Sequence, residues 1–175
     1  MRSKGVFVAL AIGVQLLPGC NDTSAPSTTV RIAARDQCDP ASFNAALGAG
    51  TCTGNGTMTF NAFNTELTAQ HSVAAWQFAP TALTARVGQS IVVTNEGGEQ
   101  HTFTEVDEFG GGIVASLNTA SGNTTEAPEC AQIAADDFIQ AGATKTEDAE
   151  TTVGTERYQC CIHPWMRAIV TVTAR

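Results

Sequence analysis

The stretch Tyr158–Val172, "YQCCIHPWMRAIVTV", decides how this chain is read. Two adjacent cysteines precede a histidine, and Cys160, His163 and Met166 follow one another at intervals of three residues. The segment after them alternates: Ala168, Val170, Val172 and Ala174 share one face of an extended chain, and Ile169, Thr171 and Thr173 share the other. "RYQCC" reads as a second extended segment, with Tyr158 and Cys160 on one face and Gln159 and Cys161 on the opposite one. A thiol, an imidazole and a thioether thus occupy the bend between two predicted strands. Together they form a soft donor set.

Upstream, the same period of two recurs in "AWQFAP", "TALTARVGQ", "SIVVTN" and "HTFTEV", which are bounded by Pro80, Gly88 and "EGGE". Several short alternating strands with turn residues between them predict an all-β sandwich. Ahead of them, "CDPASFNAALG" predicts a short helix with Asp39 as N-cap, Pro40 in the first turn and Gly48 as its stop, turning Phe43, Ala46 and Leu47 inward. A second helix is predicted over Phe60–Gln70, where Phe60, Phe63 and Leu67 fall on one face. Asp107–Thr155 is a long Gly/Thr-rich insertion with a weak helical pattern in "ECAQIAADDFIQ"; a connection of that length is either functional or mobile.

A further donor is His101, which follows the turn "NEGGEQ" and opens "HTFTEV" with Phe103 on its own face. Two histidines, a thiolate and a weak axial methionine suit a copper ion that cycles between Cu(I) and Cu(II). Zinc would want a tetrahedral nitrogen and sulfur set, without methionine and with a second close cysteine pair, which the chain lacks. On these residues, "NEGGEQHTF" followed by "YQCCIHPWMRAIVTV" resembles the cupredoxin family, small copper-binding β-sandwiches of the plastocyanin and pseudoazurin type. The resemblance runs from about Ala75 to Ala174. It implies a Greek-key β-sandwich and one copper ion held by His101, Cys160, His163 and Met166. It also implies single-electron transfer without a small-molecule substrate, through an exposed edge of His163. It assigns no role to the helical part or to the insertion. Trp165 and Pro164 stand where they could tune the site or simply pack.

The chain opens with Arg2 and Lys4, an apolar run and Cys20, the order of an export signal over residues 1–19 that is too short to span a bilayer. "LPGC" resembles the lipobox of bacterial lipoproteins, which implies lipidation at Cys20 and a membrane anchor; secretion without lipid is the alternative. The Ser/Thr/Ala/Pro-rich residues 20–35 predict a flexible linker, followed by a domain over 36–175 with a helical extension (36–72) and the sandwich (75–175). An exported chain, periplasmic or on the cell surface, meets an oxidising compartment in which thiols pair. Of six cysteines, Cys20 goes to lipid, which leaves an odd number. A Cys38–Cys52 bridge would close a local loop of about 15 residues, worth ~3 kcal/mol in the chain-entropy model. With Cys160 on the metal, as the resemblance implies, Cys130 and Cys161 are left to form a second disulfide that pins the insertion against the ligand strand.

The formal charge of −8 and the lack of any basic patch argue against nucleic acid and favour a cationic partner such as a basic cytochrome. Glu96, Glu99, Glu105, Asp107 and Glu108 cluster in sequence around His101, either as a solvated face or as a docking field. The only histidines are His71, His101 and His163, too few for an additional catalytic copper, so an enzyme is not expected. His71 reads as a surface residue. The expectation is a monomeric electron carrier; a copper-delivery module, or an electron-accepting subunit of a membrane redox complex, is the alternative.

Overall fold

The computed structural model describes residues 28–175; the export signal and Cys20 lie outside them. Strands β1 (Thr29–Arg35), β2 (Gln77–Ala79), β3 (Ala82–Arg86), β4 (Ser90–Asn95), β5 (His101–Thr102), β6 (Thr104–Val106), β7 (Phe138–Ile139), β8 (Thr144–Ala149), β9 (Gly154–Gln159) and β10 (Arg167–Thr173) follow in chain order. Eight of them make two four-stranded sheets, ordered β2-β1-β4-β8 and β3-β10-β9-β6, while β5 and β7 pair separately. Each large sheet contains one parallel pair, β1 with β4 and β3 with β10.

Alternation drives the layering. Along β10, Ala168, Val170 and Val172 are buried while Thr171 faces water. They share one core with Ala85 and with Ile32, Ala34, Ile91 and Val93 of the other sheet. Each buried Val or Ile side chain contributes about 1.5–3 kcal/mol relative to exposure. The fold is the mostly-β sandwich expected.

One boundary needs correcting: the linker expected over 20–35 is a sheet strand across Thr29–Arg35, paired to β4 and β2. Its Val30, Ile32 and Ala34 keep the period of two, but the Thr- and Ala-rich composition hid it. The sandwich therefore begins before residue 75, and the helices are inserted between its first two strands.

Helices α1 (Pro40–Leu47) and α2 (Phe60–Gln70) form where the sequence places them, and both are capped. Asp39 accepts from Ser42 N, and Thr59 accepts from Ala62 N. Of the three α1 residues expected inside, Phe43 alone is buried; Ala46 and Leu47 are exposed, because only one face of this two-turn helix meets the core. The phenyl ring of Phe43 stacks on Trp76 at 5.7 Å and meets Phe63 edge-on at 5.5 Å. The insertion is built into the sandwich. It carries α3 (Ala115–Ala120), two 3-10 turns where the weak helical pattern lay, β7 and β8, and the Cys130–Cys161 disulfide.

Candidate metal centre

Three elements far apart in sequence converge at one end of the sandwich. β5 begins at His101, and its pairing with β7 sets His101 opposite Ile139. β9 ends at Gln159, so Cys160 is the first residue of the turn that leads to β10. That turn is closed by the Cys160 amide donating to the Met166 carbonyl at 3.0 Å and the Met166 amide donating to the His163 carbonyl at 2.8 Å. Its backbone therefore holds Cys160, His163 and Met166 together.

The Nδ1 atoms of His101 and His163 each lie 3.8 Å from Cys160 Sγ. All three side chains are buried and their ligand atoms fall within 4.8 Å of one another. With metal bonds of about 2.0–2.1 Å to nitrogen and about 2.3 Å to sulfur, ligands 120° apart stand about 3.8 Å from each other, and tetrahedral ones nearer 3.5 Å. The observed spacing fits a trigonal set. Met166 is fully buried in the same core.

Cys160 is the one free cysteine among the described residues. Burial by itself would push its thiol up, but hydrogen bonds from both imidazoles outweigh that and hold it well below the ordinary thiol range. The Thr102 amide also donates to the sulfur at 3.4 Å. Burial likewise opposes charge on His163, yet the Cys160 and Glu99 partners win and push it up to about 10; His101 is raised in the same way by Asp36 and Cys160. These are properties of the metal-free chain, in which protons stand where a cation would.

Each imidazole turns its other nitrogen to a buried carboxylate. His101 Nε2 donates to Asp36 Oδ2 at 3.0 Å, and His163 Nε2 lies 3.5 Å from Glu99 Oε2. Asp36 also accepts from the amides of Cys38, Gly98 and Glu99, each at 3.0 Å. Burial would raise this carboxyl, but His101 and the three amides together hold it at about 2. Glu99 Oε2 accepts from the Trp76 indole at 2.7 Å. In the sequence Asp36 marks only the start of a domain, and Glu99 is one of five acids around His101 that form either a solvated face or a docking field. The pair of glycines in "EGGE" was the available signal, because a Cβ on Gly97 would collide with the Asp36 carboxylate.

The expected exposed edge of His163 is absent here: the residue is 3 % exposed. Glu99 covers Nε2, and the Trp165 ring meets the imidazole edge-on at 5.5 Å. Two clefts flank it instead. One of about 380 Å³ is lined by Thr53, Gln100 and Gln140; the other, of about 270 Å³, is lined by Phe60, Phe63 and Leu117. His163 and Glu99 border both.

The other cysteines among the described residues are paired as Cys38–Cys52 and Cys130–Cys161. Cys161 sits in a separate apolar cluster with Val106, Ala127 and Cys130, apart from the cluster that contains Cys160. His71 takes no part in the site: it is exposed, ends α2 in a left-handed conformation, and donates from Nδ1 to the Ala120 carbonyl at 2.9 Å.

Fold and site together define a β-sandwich with a buried two-histidine, one-cysteine set. Among solved structures it is similar to cupredoxins. A purple cupredoxin from Nitrosopumilus maritimus is 17 % identical, over 82 % of this chain and 98 % of that one, with a TM-score of 0.45. A mutant plastocyanin of fern is 14 % identical over 82 % and 100 %, with a TM-score of 0.43. A reduced Cu(I) form of an amicyanin mutant is 19 % identical over 58 % and 78 %, with a TM-score of 0.39. No family model matches the chain, and no curated protein sequence matches it.

Proposed function

We propose that this chain is a type 1 copper protein that carries single electrons, with His101, Cys160 and His163 as the strong ligands of one copper ion and Met166 as the weak axial one. The observation behind this reading is the pair of equal 3.8 Å separations between Cys160 Sγ and the two Nδ1 atoms in a buried setting. A bound copper ion supplies a one-electron couple, and the donor set suits both of its oxidation states. The protein's part is to fix the donors. β5–β7 pairing holds His101, the closed turn holds His163 and Met166, and the Thr102 amide partly neutralises the thiolate. Burial of the whole set keeps water from adding as a ligand.

The proposal includes export, anchoring to a membrane through lipid on Cys20 and action as a carrier, not an enzyme. It also includes a monomer and a cationic redox partner such as a basic cytochrome. Support for the partner's sign comes from the net charge of −8 and from a cleft of about 540 Å³ lined by Glu105, Glu147, Asp148, Glu150 and Glu156. With His163 covered, electrons would pass through the residues over its ring.

Adding Cu(II) to the purified domain is expected to give an intense visible thiolate-to-copper band. Cys160→Ser is expected to abolish it, and Cys161→Ser to leave it. A colourless Cys161→Ser protein that stays folded would overturn the assignment of the two sulfurs. Reversible voltammetry separates the carrier from a copper-delivery module: rapid release of copper to an acceptor with no reversible wave would sink the carrier.

A further inference from the structure

Resting on that copper reading, we infer that Asp36 and Glu99 are positioning residues that act through the two imidazoles, orienting both rings and biasing the site toward the more highly charged state of its metal.

The geometry is the same at both rings. Nδ1 faces the Cys160 sulfur, and Nε2 faces a carboxylate held by other groups. Which imidazole nitrogen can take a metal is set by the hydrogen bond that the other one makes. A carboxylate on Nε2 keeps the proton there and leaves Nδ1 as the donor. It also makes the ring a stronger donor, and loss of such a partner typically costs 10–100-fold in metal affinity.

The two carboxylates are fixed before any metal arrives. Asp36 has no exposed side-chain surface and four donors; Glu99 is 8 % exposed at its side chain and is tied to Trp76. They come from two connections, Asp36 after β1 and Glu99 in the turn between β4 and β5. Asp36 lies between β1 and α1, and Trp76 sits under α1 and α2, packed on Phe43 and Phe63. The helical segment that had no assigned role therefore begins with one of the two carboxylates and packs on the tryptophan that holds the other.

The sign follows from charge. Two fixed negative groups in a poorly solvated region favour Cu(II) over Cu(I), because opposite charges attract more strongly where water does not screen them. They lower the reduction potential of the site. Trp76 sets the size of the effect at His163 by aiming Glu99, and it does so without touching a ligand.

The test measures the reduction potential of the copper-loaded protein and, separately, binding of redox-inert Zn(II) to the metal-free protein. Glu99→Gln keeps the shape and loses the charge. It is expected to shift the Cu(I)/Cu(II) preference about tenfold toward Cu(I), which is ~59 mV upward for one electron, and to weaken Zn(II) about tenfold. Asp36→Asn is expected to shift both in the same direction; should it fail to fold, Glu99→Gln decides alone. Trp76→Phe, which keeps the ring packing, is expected to give a smaller shift of the same sign. A coloured, reversible wild-type centre with unchanged potential and Zn(II) affinity in Glu99→Gln overturns this inference while leaving the copper reading intact. Zn(II) binding that depends on Glu99, in a protein that forms no coloured copper centre, does the reverse. A wild-type protein that binds neither metal overturns both.

Discussion

Two buried carboxyl groups in this molecule are driven in opposite directions. Asp36, behind the candidate metal centre, is held at about 2, whereas Glu150, in the acidic cleft beside Tyr158, is pushed up to about 7. Burial raises both, since it disfavours charge. What differs is the company. Asp36 faces His101 and three amide donors. Glu150 faces another carboxyl, Glu156, and shares with it the hydroxyl of Tyr158, 3.5 and 3.2 Å away. A buried acid built among donors is an anchor for a cation; one built beside a second acid keeps a proton.

The largest effect is expected from taking away the anchor. Asp36→Ala leaves a charged imidazole and three amides without an acceptor in the interior. Breaking a buried pair in this way costs about 3–5 kcal/mol, to be read as a fall in the denaturant midpoint of the metal-free domain at neutral pH. The sign with pH follows from the depressed value. Stability from Asp36 is fully present above its ordinary 3.8 and is lost as pH falls toward about 2. Wild type is therefore expected to lose stability across that window and the variant to lose less. A variant as stable as wild type at neutral pH would mean that the donors around Asp36 find other partners, and the contrast with Glu150 would collapse.

A smaller change probes the same place from the other side of the contact. Gly97 lies against the Asp36 carboxylate and backbone, and an added Cβ has no room there. Gly97→Ala is expected to cost about 1–3 kcal/mol as an overpacking change and to weaken Zn(II) binding, since the displaced carboxylate releases His101. Gly48→Ala, at a site with open space around it but a positive φ of 115°, serves as the control: it strains the end of α1 but is expected to leave Zn(II) affinity alone. Equal Zn(II) affinities in the two variants would show that Asp36 does not act through its contact with Gly97.

The contrast also explains what could be read in advance. The turn of the candidate centre was legible because its residues are local: three-residue spacing and strand alternation fix Cys160, His163 and the opposite facing of Cys161 within a few positions. Asp36 was not legible, because nothing local ties it to His101; that contact depends on β1 lying parallel to β4, which brings Ala34 opposite Asn95 and delivers Asp36 to the turn that follows. Nor was β1 itself, since its alternation is carried by only Val30, Ile32 and Ala34 in a Thr- and Ala-rich stretch that looks like a linker. In the insertion, β7 and β8 are strands because of their partners. Phe138–Ile139 becomes one only against His101–Thr102, and the polar "TKTEDA" only against β4. Both disulfides join the cysteines expected to pair once Cys160 is set aside as the ligand that the cupredoxin resemblance implies.

The smallest expected effect lies in the cleft and completes the comparison. A carboxyl whose folded value is raised binds its proton more tightly in the folded chain than in the unfolded one. Stability therefore falls as pH rises from the ordinary 4.5 toward about 7. The first cause is burial, followed by the hydrogen bond and the charge of Glu156. Replacing Glu150 by Gln keeps a group that can bridge to Glu156 and removes the ionisation. The variant is expected to match wild type near pH 4.5 and to exceed it slightly above pH 7, measured as denaturant midpoints in metal-free protein across that range. The band expected on adding Cu(II) should stay unchanged, since Glu150 is hydrogen-bonded to Tyr158, whose ring stacks on Phe103 at 4.2 Å, and to none of the three residues of the candidate centre. A wild-type profile that is flat between those two pH values would mean that Glu150 ionises as freely as a surface acid, and that burial beside Glu156 does not oppose charge in the way that donors around Asp36 favour it.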